Sequence, residues 1–362
     1  IRTTSLELEK SETRLWMIST SGGDPIPMTS SGYSVSNVEW RPGGNQLSFI
    51  AAKNSEESQV WTLDLRGGEA QQITSVNQGV RSYVWSPDGS KLLLTLQDPE
   101  EESKDSEETP DPWVITRLQI KRDGQGYLTD SRRSHLYTFH PETETLTQIT
   151  SGRWDESQPS WSPDGQLIAF VSNRTEDPDA NSNSDIWIVP ADNTDKGQIL
   201  LQLTTYPGSD SSPSWSPDGK WITYVTDDTD PQFSSLSVNQ LAVVSSEGGT
   251  REFIHSDLDR NVRNPQFDSS GENILVSIED SGERYLGKVN LVNSDVERVS
   301  AEGHSMSSFS TTNSGTTALV LSNPHLPGEI FLIGGDYQKQ LTHTNTGFLE
   351  TRELAEVKNI QF

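Results

Sequence analysis

The chain has no cysteine, which excludes disulfides, thiolate metal centres and a cysteine nucleophile within it. No apolar run approaches the ~20 residues that a membrane-spanning helix requires, and no secretory leader precedes the first predicted strand. A start at Ile1 rather than Met is that of a chain processed or cut from a longer protein. Basic residues are few: 27 Lys and Arg stand against 53 Asp and Glu, for a formal net charge of −26. Nucleic acid, which is held by cations neutralising phosphates, is therefore not an expected partner, and neither is a membrane surface. The charge solvates the surface without selecting a positive partner. Helical periodicity is missing too, since no 3.6-residue apolar spacing lasts ten residues. None of this assigns a compartment; the cytoplasm is the working assignment and the periplasm the alternative.

What the chain does have is a repeat. Residues 212–225 read Ser-Pro-Ser-Trp-Ser-Pro-Asp-Gly-Lys-Trp-Ile-Thr-Tyr-Val, an apolar strand that turns at Ser216-Pro217-Asp218-Gly219 and leaves as a second strand. Ser opens such a turn, Pro presets φ at its second position and Gly closes it. The same hairpin recurs at 159–171 and 84–94, with looser copies around Trp40, Phe267 and Thr311. Two further strands travel with it. One carries an aromatic near its start, as in Leu15-Trp16, Val60-Trp61, Leu136-Tyr137, Ile186-Trp187 and Ile330-Phe331. The other ends in an apolar residue followed by a hydroxyl: Met28-Thr29, Ile73-Thr74, Ile149-Thr150, Leu203-Thr204, Val299-Ser300 and Leu341-Thr342, with Ile254-His255 the exception. Paired glycines such as Gly22-Gly23, Gly67-Gly68, Gly248-Gly249 and Gly334-Gly335 supply the positive φ of the turn between them.

Four-stranded antiparallel units recurring about every 40–55 residues predict a β-propeller rather than a helical solenoid. The expected architecture is all-β and seven-bladed, with units at 1–30, 31–76, 77–151, 152–205, 206–256, 257–301 and 302–343 and the propeller ending by 349. The first unit is expected to be incomplete at its N-terminus. Residues 1–9 can form its second strand, and its innermost strand either lay upstream or comes from the tail at 357–362. Unit three carries the longest insertion, 99–132, with an acidic run from Pro99 to Pro112 that reads as a loop. Residues 113–120 then alternate like an additional strand, and a second, polar insertion spans 173–184.

Candidate chemistry is sparse. Gly32-Tyr33-Ser34-Val35-Ser36 and Gly303-His304-Ser305-Met306-Ser307 lack the last Gly of a nucleophile elbow, and their shared register reflects the repeat. Asp177, Asp179, Asn181, Asn183 and Asp185 alternate like a calcium loop, but Ser182 and Ile188 replace the required Gly and Glu. Histidines 135, 140, 255, 304, 325 and 343 form no metal-ligating pair. No metal or other cofactor is expected. The candidate binding residues are Arg153, Asp155 and Glu156, in the loop that enters the innermost strand of unit four at the channel mouth. The carboxylates suit a substrate's terminal amine and Arg153 a carboxylate. Arg132, Arg133 and His135 form a second polar group.

With its Trp-Ser-Pro-Asp-Gly turns, the sequence resembles the propeller domain of the prolyl oligopeptidase family of serine peptidases, especially the acylaminoacyl-peptidase-like branch. The turns alone are shared with TolB-like propellers. More specific are Val171-Ser172-Asn173-Arg174-Thr175-Glu176-Asp177-Pro178-Asp179 leading to Ser184-Asp185-Ile186-Trp187, together with Asp123–Leu128 and Arg132-Arg133-Ser134-His135-Leu136-Tyr137. The resemblance implies a propeller that caps an α/β-hydrolase domain and selects short or N-acylated peptides, with the Ser-Asp-His triad outside this chain. Residues 350–362 then read as a linker toward that C-terminal domain, present in cis or as a separate chain. Asp155-Glu156 is the loose counterpart of the Glu pair that holds the substrate amine in the dipeptidyl branch. The alternatives are a stand-alone TolB-like interaction propeller and, third, a carbohydrate-acting propeller lyase or hydrolase, which the scattered histidines do not support.

Overall fold

In the computed structural model, Ser86, Ser162 and Ser216 each accept the turn-closing N–H of Gly89, Gly165 and Gly219 on their carbonyls, at 2.8–2.9 Å. Each Ser hydroxyl donates to the Asp two residues on, at 2.6–2.7 Å. It also accepts the N–H of Lys91, Leu167 and Trp221, at or just before the start of the next strand, at 2.9–3.0 Å. The closing glycines have φ near +70° (69°, 70° and 72°), a region costly to side-chain-bearing residues. These hydrogen bonds hold the turn Asp carboxyls below their ordinary range, Asp88 at about 2. The turns also stack. A Cβ added at Gly165 would stand 3.6 Å from Pro87, one at Gly219 3.7 Å from Pro163, and one at Gly271 3.5 Å from Pro217.

The structure describes residues 1–362 except 6–9, 53–56, 100–117, 124–125, 128–131, 228–236, 255, 335–336, 359 and 361–362. The acidic run of unit three, most of the predicted strand 113–120 and His255 lie outside the described residues. Residues 118–120 have no strand; Lys121–Arg122 pairs instead with Gly126–Tyr127.

Strands a to d of unit four are Ser157–Trp161, Leu167–Ser172, Asp185–Pro190 and Leu201–Gln202, hydrogen-bonded antiparallel in that order. Units two, three, five, six and seven repeat this sheet, so the fold is a β-propeller of four-stranded antiparallel blades. Among the described residues there are six such blades, not the seven expected. Residues 1–30 contain no Trp-turn hairpin to build strands a and b. They form two short pairs instead, Arg2–Ser5 with Lys10–Thr13 and Trp16–Met17 with Ile26–Pro27. The described part of the tail adds no strand to them: residues 350–358 carry none, and the Ala355 carbonyl accepts His325 Nε2–H at 2.9 Å.

The core lies between blades. Clusters such as Leu93, Leu136, Ile149, Trp161, Ile168 and Phe170 join neighbouring sheets. The repeated hydroxyl has a definite task. Thr29, Thr74, Thr150, Thr204, Ser300 and Thr342 each accept the N–H of the strand-c residue bearing the repeat's first apolar position, at 2.8–3.0 Å. Thr74 is buried and also donates to Gln59 at 2.8 Å. Thr74→Val is therefore expected to destabilise by about 1–3 kcal/mol through an orphaned Val60 N–H; a urea midpoint unchanged from wild type would contradict this role.

Candidate functional site

Innermost strands are kinked partway along, at a Pro in units four, five and six and at Asn37-Val38 in unit two, where Asn37 has φ of 46° and the register also shifts. Pro cannot donate to a ladder and marks edges and bulges. Gln158, Ser212 and Asn264, each just before such a Pro, have φ of 49°, 56° and 52°, and pairing shifts register there. The same end of the ring gathers the loops that enter strands a and those joining b to c. The b–c connections are long in unit three (98–133), unit four (173–184) and unit five (227–239), but only two residues in unit six (281–282) and unit seven (324–325). That face carries the candidate residues.

Arg153-Trp154-Asp155-Glu156 runs into strand a of unit four, and Glu156 turns inward to 1 % exposure. Its Oε2 accepts from Thr150 Oγ1 at 2.9 Å and meets His135 Nδ1 at 2.6 Å, while Oε1 takes Arg174 Nη2 at 2.5 Å. The Arg174 guanidinium lies 4.9, 5.7 and 5.3 Å from the rings of Trp154, Phe170 and Trp187. Burial lowers the Arg174 pKa, and Glu156 opposes that shift. Burial alone would depress His135, but the hydrogen bond and charge of Glu156, with the charges of Asp98 and Asp155, hold its pKa above the ordinary value. His135 Nε2 is 3.5 Å from Asp98 Oδ1.

Asp155 faces outward. Its Oδ2 pairs with Arg133 Nη1 at 2.9 Å, its Oδ1 accepts Ser134 N–H at 2.9 Å, and its side chain is 54 % exposed. Arg153 donates to the Glu176 carbonyl at 3.0 Å and lies over Trp154. The two polar groups read separately in the sequence, Arg153–Glu156 and Arg133 with His135, are therefore one cluster. Asp98 closes the root of the long insertion by accepting Arg133 N–H at 3.0 Å. Sequence reasoning assigned no role to Asp98 or Arg174. The available signal was position, since both lie within two residues of the end of strand b, at the base of a b–c insertion. The two insertions also touch, Leu118 N–H donating to Asp179.

Chemically, Glu156 is committed to internal partners, and Asp155 and Arg153 are the groups that face solvent. The calcium-like loop does not converge: Asn181 bonds Thr175 and the Asp177 carbonyl, Asn183 accepts Gly208 N–H, and Asp185 turns to Gln202 and Thr204. Among the described residues, no three His, Asp or Glu side chains group to hold a metal. Ser305 Oγ accepts Arg284 N–H, while His304 turns to the Glu302 carbonyl and the Phe331 ring.

No protein-family model matches the chain. It is 27 % identical over 188 residues to the uncharacterized peptidase YuxL of Bacillus subtilis, a match covering 51 % of this chain and 28 % of that protein. It is 29 % identical over 216 residues to dipeptidyl-peptidase 5 of Arthroderma otae, covering 56 % and 29 %. The acylaminoacyl peptidase of Pyrococcus horikoshii superposes with a TM-score of 0.77 at 17 % identity, over 97 % of this chain and 51 % of that one. The propeller domain of the Trilobed protease from Pyrococcus furiosus, described as having an open velcro topology, superposes with a TM-score of 0.67 at 15 % identity, covering 95 % and 93 %. A TolB-type protein from Agrobacterium tumefaciens reaches 0.52 at 17 % identity, covering 80 % and 90 %. The matched stretches thus span under a third of the curated relatives' length. The chain resembles the propeller domains of prolyl oligopeptidase and acylaminoacyl peptidases, and its repeats are also TolB-like.

Proposed function

We propose that this chain is the non-catalytic, substrate-selecting propeller of a serine peptidase that cleaves short or N-acylated peptides, working with an α/β-hydrolase domain. The observation that carries the reading is the cluster at the foot of the unit-three insertion. A buried Glu156–His135–Arg174 core there holds Asp155 and Arg153 outward on the face bearing the long connections. Sequence similarity to peptidases supports the same reading. The better superposition on peptidase than on TolB propellers favours it over a stand-alone interaction propeller. Asp155 is the group suited to a peptide's free amine, and Arg153 to a carboxylate. Residues 350–362 serve as the linker toward the hydrolase.

The natural full-length protein should label with a fluorophosphonate serine-hydrolase probe and hydrolyse short peptide anilides, whereas residues 1–362 alone should do neither. In that protein, Asp155→Asn should raise KM for free-amine peptides more than for N-acylated ones, with kcat little changed. A full-length protein that does not label would reject the peptidase reading. Unchanged kcat/KM for both peptide classes would reject the role of Asp155.

A further inference from the structure

Between units five and six the repeat departs from itself. At the end of strand a, Trp85, Trp161 and Trp215 are buried and pair across their hairpins with Leu92, Ile168 and Ile222. Each indole reaches the preceding unit, donating to Ser48 Oγ, the Val84 carbonyl and the Ser160 carbonyl at 2.8, 3.4 and 3.1 Å. Phe267 occupies the same register opposite Ile274. It is smaller, has no N–H to donate and is only partly buried. A cavity of about 390 Å³ lies beside it, lined among others by Trp221, Val243, Ile254, Asp218 and Glu252. That volume and the mixture of apolar wall with few polar groups suit a small ligand.

The charge selects the ligand's class. Lys220 Nζ stands 3.4 Å from Asp218 and offsets it, whereas the exposed Glu252 has no ion-pair partner among the described residues. Among the described residues one carboxylate is thus left uncompensated in a cavity that an indole also lines, and indoles attract cations. We infer that this cavity binds a small hydrophobic monocation, an aromatic or branched aliphatic amine, with the apolar part against Phe267, Val243 and Ile254 and the ammonium toward Glu252. The site is independent of the cluster on the opposite face.

Benzylamine and uncharged benzyl alcohol, titrated at pH 7 into the 362-residue chain with ligand-observed NMR, test this. Benzylamine should saturate with a dissociation constant of about 1 mM, reasonable for so small a ligand. Phe267→Trp, which restores the buried residue of units three to five, should abolish binding of both probes while keeping the native circular dichroism spectrum. Glu252→Gln should weaken benzylamine about threefold, the scale of one exposed charge pair, and leave benzyl alcohol unchanged. Three results would each overturn the inference: no saturable benzylamine binding, binding undiminished in folded Phe267→Trp, or benzylamine binding unaffected by Glu252→Gln. Glu252 is exposed, so its arm decides the question even if Phe267→Trp fails to fold.

Discussion

Replacing Glu156 by Ala is expected to destabilise the chain by about 3–5 kcal/mol, the cost of leaving a buried ion-pair partner uncompensated. Arg174 is enclosed by Trp154, Phe170 and Trp187 and has Glu156 as its ion-pair partner among the described residues. The same substitution strips a buried histidine and the Thr150 hydroxyl of an acceptor. Glu156→Gln keeps an acceptor and loses the charge, so its loss should be smaller. Urea unfolding should show a lower midpoint at constant m-value, the sign of lost stability rather than altered compactness. Because Ser134 and His135 open strand c directly after the insertion, amide exchange at 134–138 should rise in the variant before global unfolding does. A midpoint within error of wild type would show that Glu156 is not the keystone of this cluster.

Stability should also fall as pH rises between about 4 and 7, and Asp185→Asn should reduce that slope while leaving the part due to Glu39, whose pKa burial also raises to about 7. Burial first, and then the nearby Asp210 charge, raise the Asp185 pKa from the ordinary value of 3.8 to about 7. Asp210 is itself raised by burial, and its Oδ2 has no hydrogen-bond partner among the described residues. A carboxyl that holds its proton more tightly when folded favours folding while protonated and opposes it once ionised. Its contribution therefore disappears through the window between the two values, by roughly 2–4 kcal/mol at most. His135, also raised, loses its contribution in the same direction, and that part should persist in Asp185→Asn. The turn carboxyls act at the other end. Asp88, held at about 2, contributes above its unfolded value, and this is lost only as pH falls toward 2. Thermal melts from pH 5 to 8 decide the matter: Asp185→Asn should be more stable than wild type at pH 8, and a slope equal to wild type's would refute the assignment.

Much of the scaffold was legible because it is made of local chemistry. The Ser-Pro-Asp-Gly turn closes on its own hydroxyl, carboxylate and glycine, so a stretch such as 216–219 specifies its geometry without help from the rest of the chain. The apolar–hydroxyl ending of strand d was visible as a pattern, and its function as an acceptor for strand c became clear only once the two strands lay side by side. The blade count was misread for a related reason. Strands c and d of the first unit carry the repeat's marks, but a blade needs partners for every ladder, and the described residues of 1–30 supply two short pairs.

The site divided along the same line. Its position, in the loop entering unit four, was a matter of sequence order, and so were Arg153, Asp155 and Glu156 as the polar residues there. Which of two adjacent carboxylates turns inward was decided by residues 20 or so positions away, His135 and Arg174, that the chain order does not join. The sequence by itself determined a propeller built from one repeated hairpin, because each hairpin encodes its own turn. Only the tertiary structure decided that Glu156 is committed to the interior while Asp155 faces solvent. Burial and charge pairing are properties of neighbours in space, and in a radial fold those neighbours come from other strands and other blades.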